Sequence, residues 1–204
     1  LISIVIGLPL PLLALQILWI NLVTETIPAT TLSMEPSEQD TMHKPPRGIK
    51  EPILNKKDVK WIMFISLIIT LGTLFVYYNA LTSSGWNWNN FDTNEMPQFY
   101  LYAVTMAFNT LVLFQIFNIF NCKSQNLSIF TRDLVNNKWL LGGIVLSLAL
   151  QSAVIYIPLM NNIFHTVPLS ALDWASSALV ASSIIWVSEI VKLKSKIHVN
   201  KESA

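Results

Sequence analysis

Long runs without charged residues dominate the pattern of hydrophobic and polar positions in this chain. Four such runs contain no Asp, Glu, Lys or Arg, and they cover residues 1–24, 61–91, 96–122 and 139–172. Each run exceeds the roughly 20 apolar residues that an α-helix needs to cross about 30 Å of hydrocarbon. The pattern therefore predicts an integral membrane protein built from transmembrane helices.

The first apolar stretch is too long for a single straight crossing, because Glu25 is the only charged residue before position 35. Gly7, Pro9 and Pro11 interrupt it, which indicates a tight reversal after the end of a first helix at residues 1–7. The full spans are expected at residues 15–34, 61–81, 99–121, 139–159 and 172–191. The predicted fold class is all-α: a polytopic transmembrane helix bundle with five full spans plus the end of a preceding helix.

The basic residues predict how these spans cross the membrane. All 13 Lys and Arg residues lie in three segments: 35–60, 122–138 and 192–201. None lies in the alternate connections, which are residues 8–14, 82–98 and 160–171. Because Lys and Arg accumulate in short cytoplasmic loops, we expect a multi-pass membrane protein with a cytoplasmic C-terminus.

Composition narrows the function classes further. Hydrophobic residues make up 52% of the chain and charged residues only 12%, which agrees with a membrane protein. A net charge of +1 argues against an electrostatic nucleic-acid binder. The single cysteine, Cys122, excludes a disulfide framework and a Cys-rich metal site. The histidines lie on both predicted sides of the membrane, so they cannot form a metal cluster; they are His43, His165 and His198.

The start of the chain predicts that more sequence precedes it. It begins with Leu1 inside an apolar run without a basic flank, so it resembles neither a translation start nor a signal peptide. A half-helix here would leave backbone polar groups unpaired in hydrocarbon, which membranes do not tolerate. We therefore expect an upstream continuation of the same polypeptide.

Three polar side chains interrupt the span predicted at residues 15–34. Asn21, Thr24 and Glu25 are spaced i, i+3 and i+4, which places an amide, a hydroxyl and a carboxylate on one face of an α-helix. An ionised group near the middle of a bilayer costs about 2.5 to 3.5 kcal/mol, so Glu25 is a functional candidate. Pro28 has no N–H, so the carbonyl four residues earlier loses its helical partner. Such oxygen donors suit a hard ion such as Ca²⁺.

The same residues have a structural alternative. Asn21 and Thr24 could hydrogen-bond to neighbouring helices, and Glu25 could be a protonated residue that faces another helix. An ion site would also need ligands from elsewhere, because Ca²⁺ takes about 6 to 8 oxygens and this helix offers about five at most.

Further polar candidates lie on two later spans. The span at residues 99–121 carries Asn109, Gln115 and Asn118, with the last two on one helical face. Gln115 is the best placed as a further ion ligand, and its alternative role is a hydrogen bond between helices. Glu189, near the cytoplasmic end of the last span, is expected to form an ion pair with Lys192.

Several segments resemble one known family. Residues 18–29, with the sequence LWINLVTETIPA, resemble the sixth transmembrane helix of P-type cation-transporting ATPases and are most similar to the calcium pumps. Residues 7–12, GLPLPL, resemble the turn before that helix, and residues 35–47 are similar to the cytoplasmic loop after it. Residues 105–115 resemble the eighth helix. The resemblance implies the family's C-terminal membrane region, from the end of the fifth helix to the tenth.

The resemblance also implies a ligand set and an ion. Asn21, Thr24 and Glu25 would be ligands of the transported ion, with Gln115 as a further metal ligand. The family usually has Asp where this chain has Glu25, which leaves the ion's identity and exact geometry open. Endoplasmic-reticulum calcium pumps have Glu where Gln115 stands and plasma-membrane calcium pumps have Gln, which suggests one Ca²⁺ per cycle. Sodium/potassium pumps have Asp at positions matching Asn21 and Glu25, so the pattern favours Ca²⁺.

The family's phosphorylated Asp, in its D-K-T-G-T motif, and its nucleotide and actuator domains do not occur in these residues. This segment is therefore expected to be non-catalytic alone, with ATP and Mg²⁺ acting only through the missing N-terminal part of the same pump. That part and membrane lipid are the expected partners, and no nucleic acid is expected. One membrane domain, 1–204, is expected to comprise the ion-binding segment 1–34, a cytoplasmic loop 35–60, and four helices with a basic tail in 61–204.

Two alternatives stay open from the sequence. A pump of the same family could move Na⁺, K⁺, H⁺ or Mn²⁺ instead. A free-standing polytopic partner of a pump, or a small secondary transporter, could use Glu25 as a proton-titrating site. An upstream reading frame that includes the D-K-T-G-T motif would favour the pump, and a start codon just before Leu1 would favour the free-standing protein.

Overall fold

The computed structural model describes residues 2–34, 55–86, 97–123 and 138–202 of the chain. Every secondary-structure element in these residues is helical, which confirms the predicted all-α class. The elements are α1 (Ile2–Ile6), α2 (Ala14–Trp19), a π-helical segment (Ile20–Glu25), α3 (Thr26–Ser33), α4 (Lys56–Ser83), α5 (Gln98–Lys123), α6 (Lys138–Tyr156), α7 (Pro158–Phe164) and α8 (Ala171–Glu202). Most of the predicted loop 35–60, including His43, lies outside the described residues.

Five helical stretches coincide with the five predicted spans. Among the described residues, four helices are long and apolar enough to cross a membrane, over residues 58–83, 98–122, 138–156 and 171–192. The fifth stretch is composite, because α2, the π-helical segment and α3 follow one another without a break. The architecture is therefore a polytopic helix bundle, as the charge-free runs indicate.

Three helix ends differ clearly from the predicted boundaries: α8 continues to Glu202, beyond the predicted end at 191, and two other ends differ for local reasons. α4 begins earlier, at Lys56, because the backbone N–H of Asn55 donates to Oδ2 of Asp58 at 3.0 Å in a capping box. α6 ends earlier, at Tyr156, because Pro158 has no N–H to continue the helix and instead begins the short α7. The connection predicted at residues 160–171 therefore contains part of a helix.

A glycine makes the reversal after α1 possible. Gly7 has φ +81°, and its N–H donates to the carbonyl of Ile4, while the N–H of Leu8 donates to the carbonyl of Ser3. This is a Schellman motif, which glycine favours because it has no Cβ. Two tyrosines hold the following turn: Tyr77 Oη donates to the carbonyl of Pro9 at 3.1 Å, and Tyr100 Oη donates to that of Leu10 at 2.8 Å.

α5 is the central helix of the bundle. In its membrane-crossing part 72% of the residues are buried by the other helices, whereas in that of α4 only 17% are buried. α5 packs against α4, α8 and the π-helical segment, and its Val104, Phe108 and Phe114 are fully buried. Most side chains of α5 therefore pack against other helices of the bundle.

Polar contacts also fix α5 against α8. Ser188 Oγ donates to Oδ1 of Asn121 at 2.6 Å, and Nδ2 of that amide lies 3.5 Å from the carbonyl of Ile184. The predicted ion pair is confirmed, since Lys192 Nζ lies 3.5 Å from Glu189 Oε1.

Close packing of α3 on α6 depends on Gly143, which has no side chain to separate the two helices. A Cβ at Gly143 would lie 2.9 Å from Cγ2 and 3.0 Å from Oγ1 of Thr31, whereas a Cβ at Gly142 would meet nothing within 4 Å. Gly143→Ala should therefore destabilise the full-length protein by about 1 to 3 kcal/mol through overpacking. The midpoint of heat-induced loss of the monodisperse size-exclusion peak in detergent should fall by several degrees.

Gly142→Ala is the matched control, because it makes the same chemical change one residue away on the same helix. It should leave the midpoint unchanged or raise it slightly, since Ala favours a helix over Gly. Equal midpoints for the two variants would show that α3 and α6 are not in close contact here.

Candidate ion-binding site

The polar residues predicted to form the site lie in the π-helical segment Ile20–Glu25. The spacing i, i+3 and i+4 predicts one face of an α-helix, and the structure differs because this turn is wider. Pro28 lies three residues after the end of the π-helical segment, and its missing N–H leaves one carbonyl of the preceding turn without a backbone partner. Short π-helical insertions are frequent at functional sites.

Two threonine hydroxyls donate to backbone carbonyls of the widened turn. Thr24, which is buried, donates from Oγ1 to the carbonyl of Ile20 at 2.8 Å. Thr26 donates from Oγ1 to the carbonyl of Asn21 at 3.1 Å, five residues earlier. Both hydroxyls use their hydrogen in these bonds, so their oxygen lone pairs remain available to a cation. Thr26 was not among the candidates predicted from the sequence. Its hydroxyl reaches a carbonyl five residues earlier, and that spacing fits a π-helical turn and not an α-helical one.

The carboxylate at position 25 contacts an amide from the central helix. Nε2 of Gln115 lies 3.4 Å from Oε1 of Glu25, and the two residues are 90 positions apart in the chain. Glu25 is exposed on the surface of the described residues, and Gln115 is half-buried on α5. The distance is long for a hydrogen bond, so the contact is weak and easily opened.

The four predicted ligands therefore differ in their placement. Glu25 and Gln115 are in contact, and Thr24 is buried in the same segment as Glu25. Asn21 is exposed, and its backbone carbonyl accepts the hydrogen bond from Thr26.

Of the other two amides on α5 that were candidates from the sequence, Asn118 is half-buried and Asn109 is fully buried. Asn109 lies six positions before Gln115, which corresponds to about 9 Å along the helix. The structure thus distinguishes Gln115 as the amide of α5 that reaches the carboxylate at position 25.

A second buried amide, which the sequence analysis did not single out, fixes the start of this composite helix. Gln16 is fully buried; it accepts from the N–H of Leu13 at 3.2 Å and donates to the carbonyl of Phe164 at 3.1 Å. The rings of Trp19 and Phe164 also meet edge to face, with centroids 5.1 Å apart. α7 thereby holds α2, and α2 in turn positions the π-helical segment beside α5. The sequence feature that could have identified Gln16 is its position as a polar residue in an otherwise apolar run.

These features define a class of protein: a polytopic helical membrane domain with a carboxylate and an amide in contact between two helices. Comparison with known proteins agrees with that class and narrows it. The family "Cation transporting ATPase, C-terminus" matches residues 9–194. The chain belongs to this family, which confirms the resemblance seen in the sequence.

The relatives that the chain resembles are calcium-transporting ATPases. It is 36% identical over 194 residues, 95% of its length, to calcium-transporting ATPase type 2C member 2 of Mus musculus. It is 36% identical over 200 residues, 96% of its length, to type 2C member 1 of the same species. A calcium-transporting ATPase of Bacillus subtilis strain 168 is 35% identical over 172 residues, 84% of the chain. The chain spans about a fifth of the length of these relatives: 19%, 20% and 18%.

Proposed function

We propose that this chain is the C-terminal membrane domain of an ATP-driven pump that moves Ca²⁺ across a membrane, and that Glu25 and Gln115 contact the transported ion. The observation that carries the proposal is the contact between Glu25 Oε1 and Gln115 Nε2, which joins the π-helical segment to the central helix. A carboxylate within an apolar helix costs free energy in a membrane, and contact with a bound cation would offset that cost. The similarity to calcium-transporting ATPases supports Ca²⁺ as the ion.

The chemistry of the surrounding groups supports a hard cation. Glu25 offers a carboxylate, Thr24 and Asn21 offer a hydroxyl and an amide oxygen, and Gln115 offers a second amide oxygen. Without an ion, the Gln115 amide donates toward the carboxylate. Rotation of that amide by half a turn would replace its N–H groups by Oε1, so that it accepts rather than donates. Ca²⁺ binding would therefore exchange one weak amide–carboxylate contact for two ligands.

The open face of Glu25 leaves room for the rest of the coordination shell. Ca²⁺ needs about 6 to 8 oxygens, and these four side chains provide fewer. The remaining ligands would come from membrane helices in the rest of the pump, together with water. One carboxylate also leaves a net positive charge on a divalent ion, so a further acidic residue from another helix would complete the site.

ATP and Mg²⁺ would act on the rest of the pump, which supplies phosphorylation and nucleotide binding. The contribution of this chain is a site whose affinity for the ion differs between two arrangements of the helices. The ion can bias that equilibrium only by its differential affinity for the two states. A long contact at Gln115 and an irregular helix at Glu25 are suited to this, because both can change without breaking a strong bond.

The pump would lie in the membrane with its C-terminus in the cytoplasm. All 13 basic residues lie in the connections on one predicted side and in the tail, in agreement with the positive-inside rule. The chain would form one membrane domain, with residues 1–34 holding the ion-binding segment and 61–204 holding the helices that support it.

Ion transport by the full-length pump tests this proposal. Sealed vesicles that contain it should accumulate radioactive Ca²⁺ on addition of ATP and release it on addition of a calcium ionophore. Parallel assays with Mn²⁺, Na⁺, K⁺ and a pH-sensitive dye measure the alternative ions. Transport of one of those ions without Ca²⁺ uptake would contradict the proposal.

A further inference from the structure

A groove of about 580 Å³ opens between α4, α5 and α8. Its lining residues on α5, Tyr102 and Met106, lie nearer the N-terminus of that helix than Gln115, which contacts Glu25. The apolar wall of the groove is formed by Phe75, Val76, Ala80, Met106 and Val180. Its rim is polar and is formed by Asn79, Thr82, Ser83, Tyr102, Asp173 and Ser176. The groove therefore fits a molecule with a polar head and an apolar chain.

The groove lies at one end of the membrane-crossing helices. It is formed by the C-terminal part of α4 and the N-terminal parts of α5 and α8. The basic residues of these helices lie at the opposite ends, among them Lys56 and Lys192. Trp174 lies at the groove end of α8, where its Nε1 donates to Oη of Tyr156 at 3.0 Å. A tryptophan with a polar partner at a helix end is typical of the headgroup level.

Each rim side chain on α4 donates one hydrogen to the backbone of its own helix. Asn79 Nδ2 donates to the carbonyl of Phe75 at 2.8 Å, Thr82 Oγ1 donates to that of Tyr78 at 3.0 Å, and Ser83 Oγ donates to that of Ala80 at 3.1 Å. A hydroxyl has one hydrogen, so Thr82 and Ser83 can only accept from a ligand, whereas Asn79 retains its Oδ1 acceptor and one N–H donor.

The rim on α5 and α8 has the same property and adds a negative charge. Tyr102 Oη donates to Oδ1 of Asp173 at 2.7 Å, and Ser176 Oγ donates to the backbone carbonyl of Asp173 at 2.9 Å. Both the N–H and the Oγ of Ser170 donate to Oδ2 of Asp173 at 2.8 Å, which holds the carboxylate in one orientation. Among the lining residues that the structure describes, Asp173 is the only acidic or basic one.

We propose that this groove binds a phospholipid with a primary ammonium headgroup, such as phosphatidylethanolamine. A primary ammonium has three N–H donors and a positive charge, which complement a rim of hydrogen-bond acceptors around one carboxylate. An acyl chain would lie against the apolar wall at Phe75 and Met106. A quaternary ammonium such as choline has no N–H to donate, so phosphatidylcholine would bind less tightly.

Native mass spectrometry of the full-length protein, purified in detergent and given equal amounts of the two lipids, tests this inference. It needs neither ATP nor Ca²⁺, so its outcome is independent of the proposed transport. Phosphatidylethanolamine should be retained about tenfold better than phosphatidylcholine, as expected for the loss of charge-assisted hydrogen bonds. Equal retention of the two lipids would overturn the proposal, and so would full displacement of phosphatidylethanolamine by millimolar Ca²⁺, which would assign the groove to a metal ion.

Three variants separate the groove from general effects. Asp173→Asn should reduce the preference for phosphatidylethanolamine to near one. Asp58→Asn is the same chemical change at the N-terminal end of α4, which is the end opposite the groove, and it should leave the preference at about tenfold. Ser176→Trp keeps the carboxylate and fills the groove from an exposed position, so it should lower retention of both lipids. Unchanged retention in Ser176→Trp, or an equal loss of preference in both Asp→Asn variants, would contradict a site in this groove.

Discussion

Replacement of Glu25 by Gln is expected to abolish the Ca²⁺-dependent phosphorylation of the full-length pump by ATP. The variant keeps the size of the side chain but removes the only charge that this segment offers to a cation. Loss of one charged partner in a desolvated pair costs about 2 to 5 kcal/mol, which corresponds to a loss of at least about thirtyfold in ion affinity. The measurement is the amount of acid-stable phosphorylated protein formed as the Ca²⁺ concentration is varied.

Asp58→Asn is the control for this prediction. Asp58 is an acidic residue at the N-terminal end of α4, where it caps the helix, and Asn can also accept the capping hydrogen bond. Its Ca²⁺ dependence should equal that of the unmodified protein, and both variants should insert into membranes. An unchanged Ca²⁺ dependence in Glu25→Gln would reject a coordinating role for this carboxylate.

The second large effect is expected from Gln115→Ala. If the amide binds the ion, its removal takes away one oxygen ligand and should weaken Ca²⁺ affinity by about tenfold, the value of one hydrogen bond or ligand to a charged group. Maximal phosphorylation at saturating Ca²⁺ should remain, because Glu25 is intact. The measurement is the Ca²⁺ concentration that gives half-maximal phosphorylation.

Asn118→Ala is the matched comparison for Gln115→Ala, because it removes an amide three positions further along the same helix. Its Ca²⁺ affinity should be unchanged. If Gln115 only joins two helices, its variant should lower the thermal midpoint and leave the affinity untouched, and that pair of results would remove Gln115 from the site.

The helical spans could be predicted from the sequence because their signal is local. α4, α6 and α8 each contain more apolar residues in succession than a soluble helix needs, and a hydrocarbon environment requires every backbone group to be paired within the helix. The reversal at Gly7 was also predictable, since glycine and proline restrict the backbone wherever they occur. These properties depend on neighbours in the chain and not on how the helices pack.

The π-helical turn could not be predicted from spacing. Pro28 indicated that one carbonyl would lose its partner, but not that the preceding turn would widen so that Thr26 donates to a carbonyl five residues earlier. The α-helical assumption therefore placed Asn21 and Thr24 on one face, whereas the structure exposes the first and buries the second.

The choice of Gln115 over the other amides of α5 depends on tertiary packing. The rotation of α5 about its axis decides which amide faces the π-helical segment. That rotation is set by contacts such as Phe114 against Gly72, where an added Cβ would lie 2.5 Å from the ring, and by the bond from Tyr100 to the turn. The sequence supplied the candidate, and the arrangement of three helices determined which atom Glu25 meets.

A structure of the full-length pump with bound Ca²⁺ would show whether Glu25 and Gln115 bind the ion. The account predicts an ion within about 2.3 to 2.6 Å of a carboxylate oxygen of Glu25, with Oε1 of Gln115 turned toward it. Further oxygen ligands should approach from helices outside this chain. An ion bound elsewhere, with the Glu25 carboxylate directed into the lipid, would contradict the account.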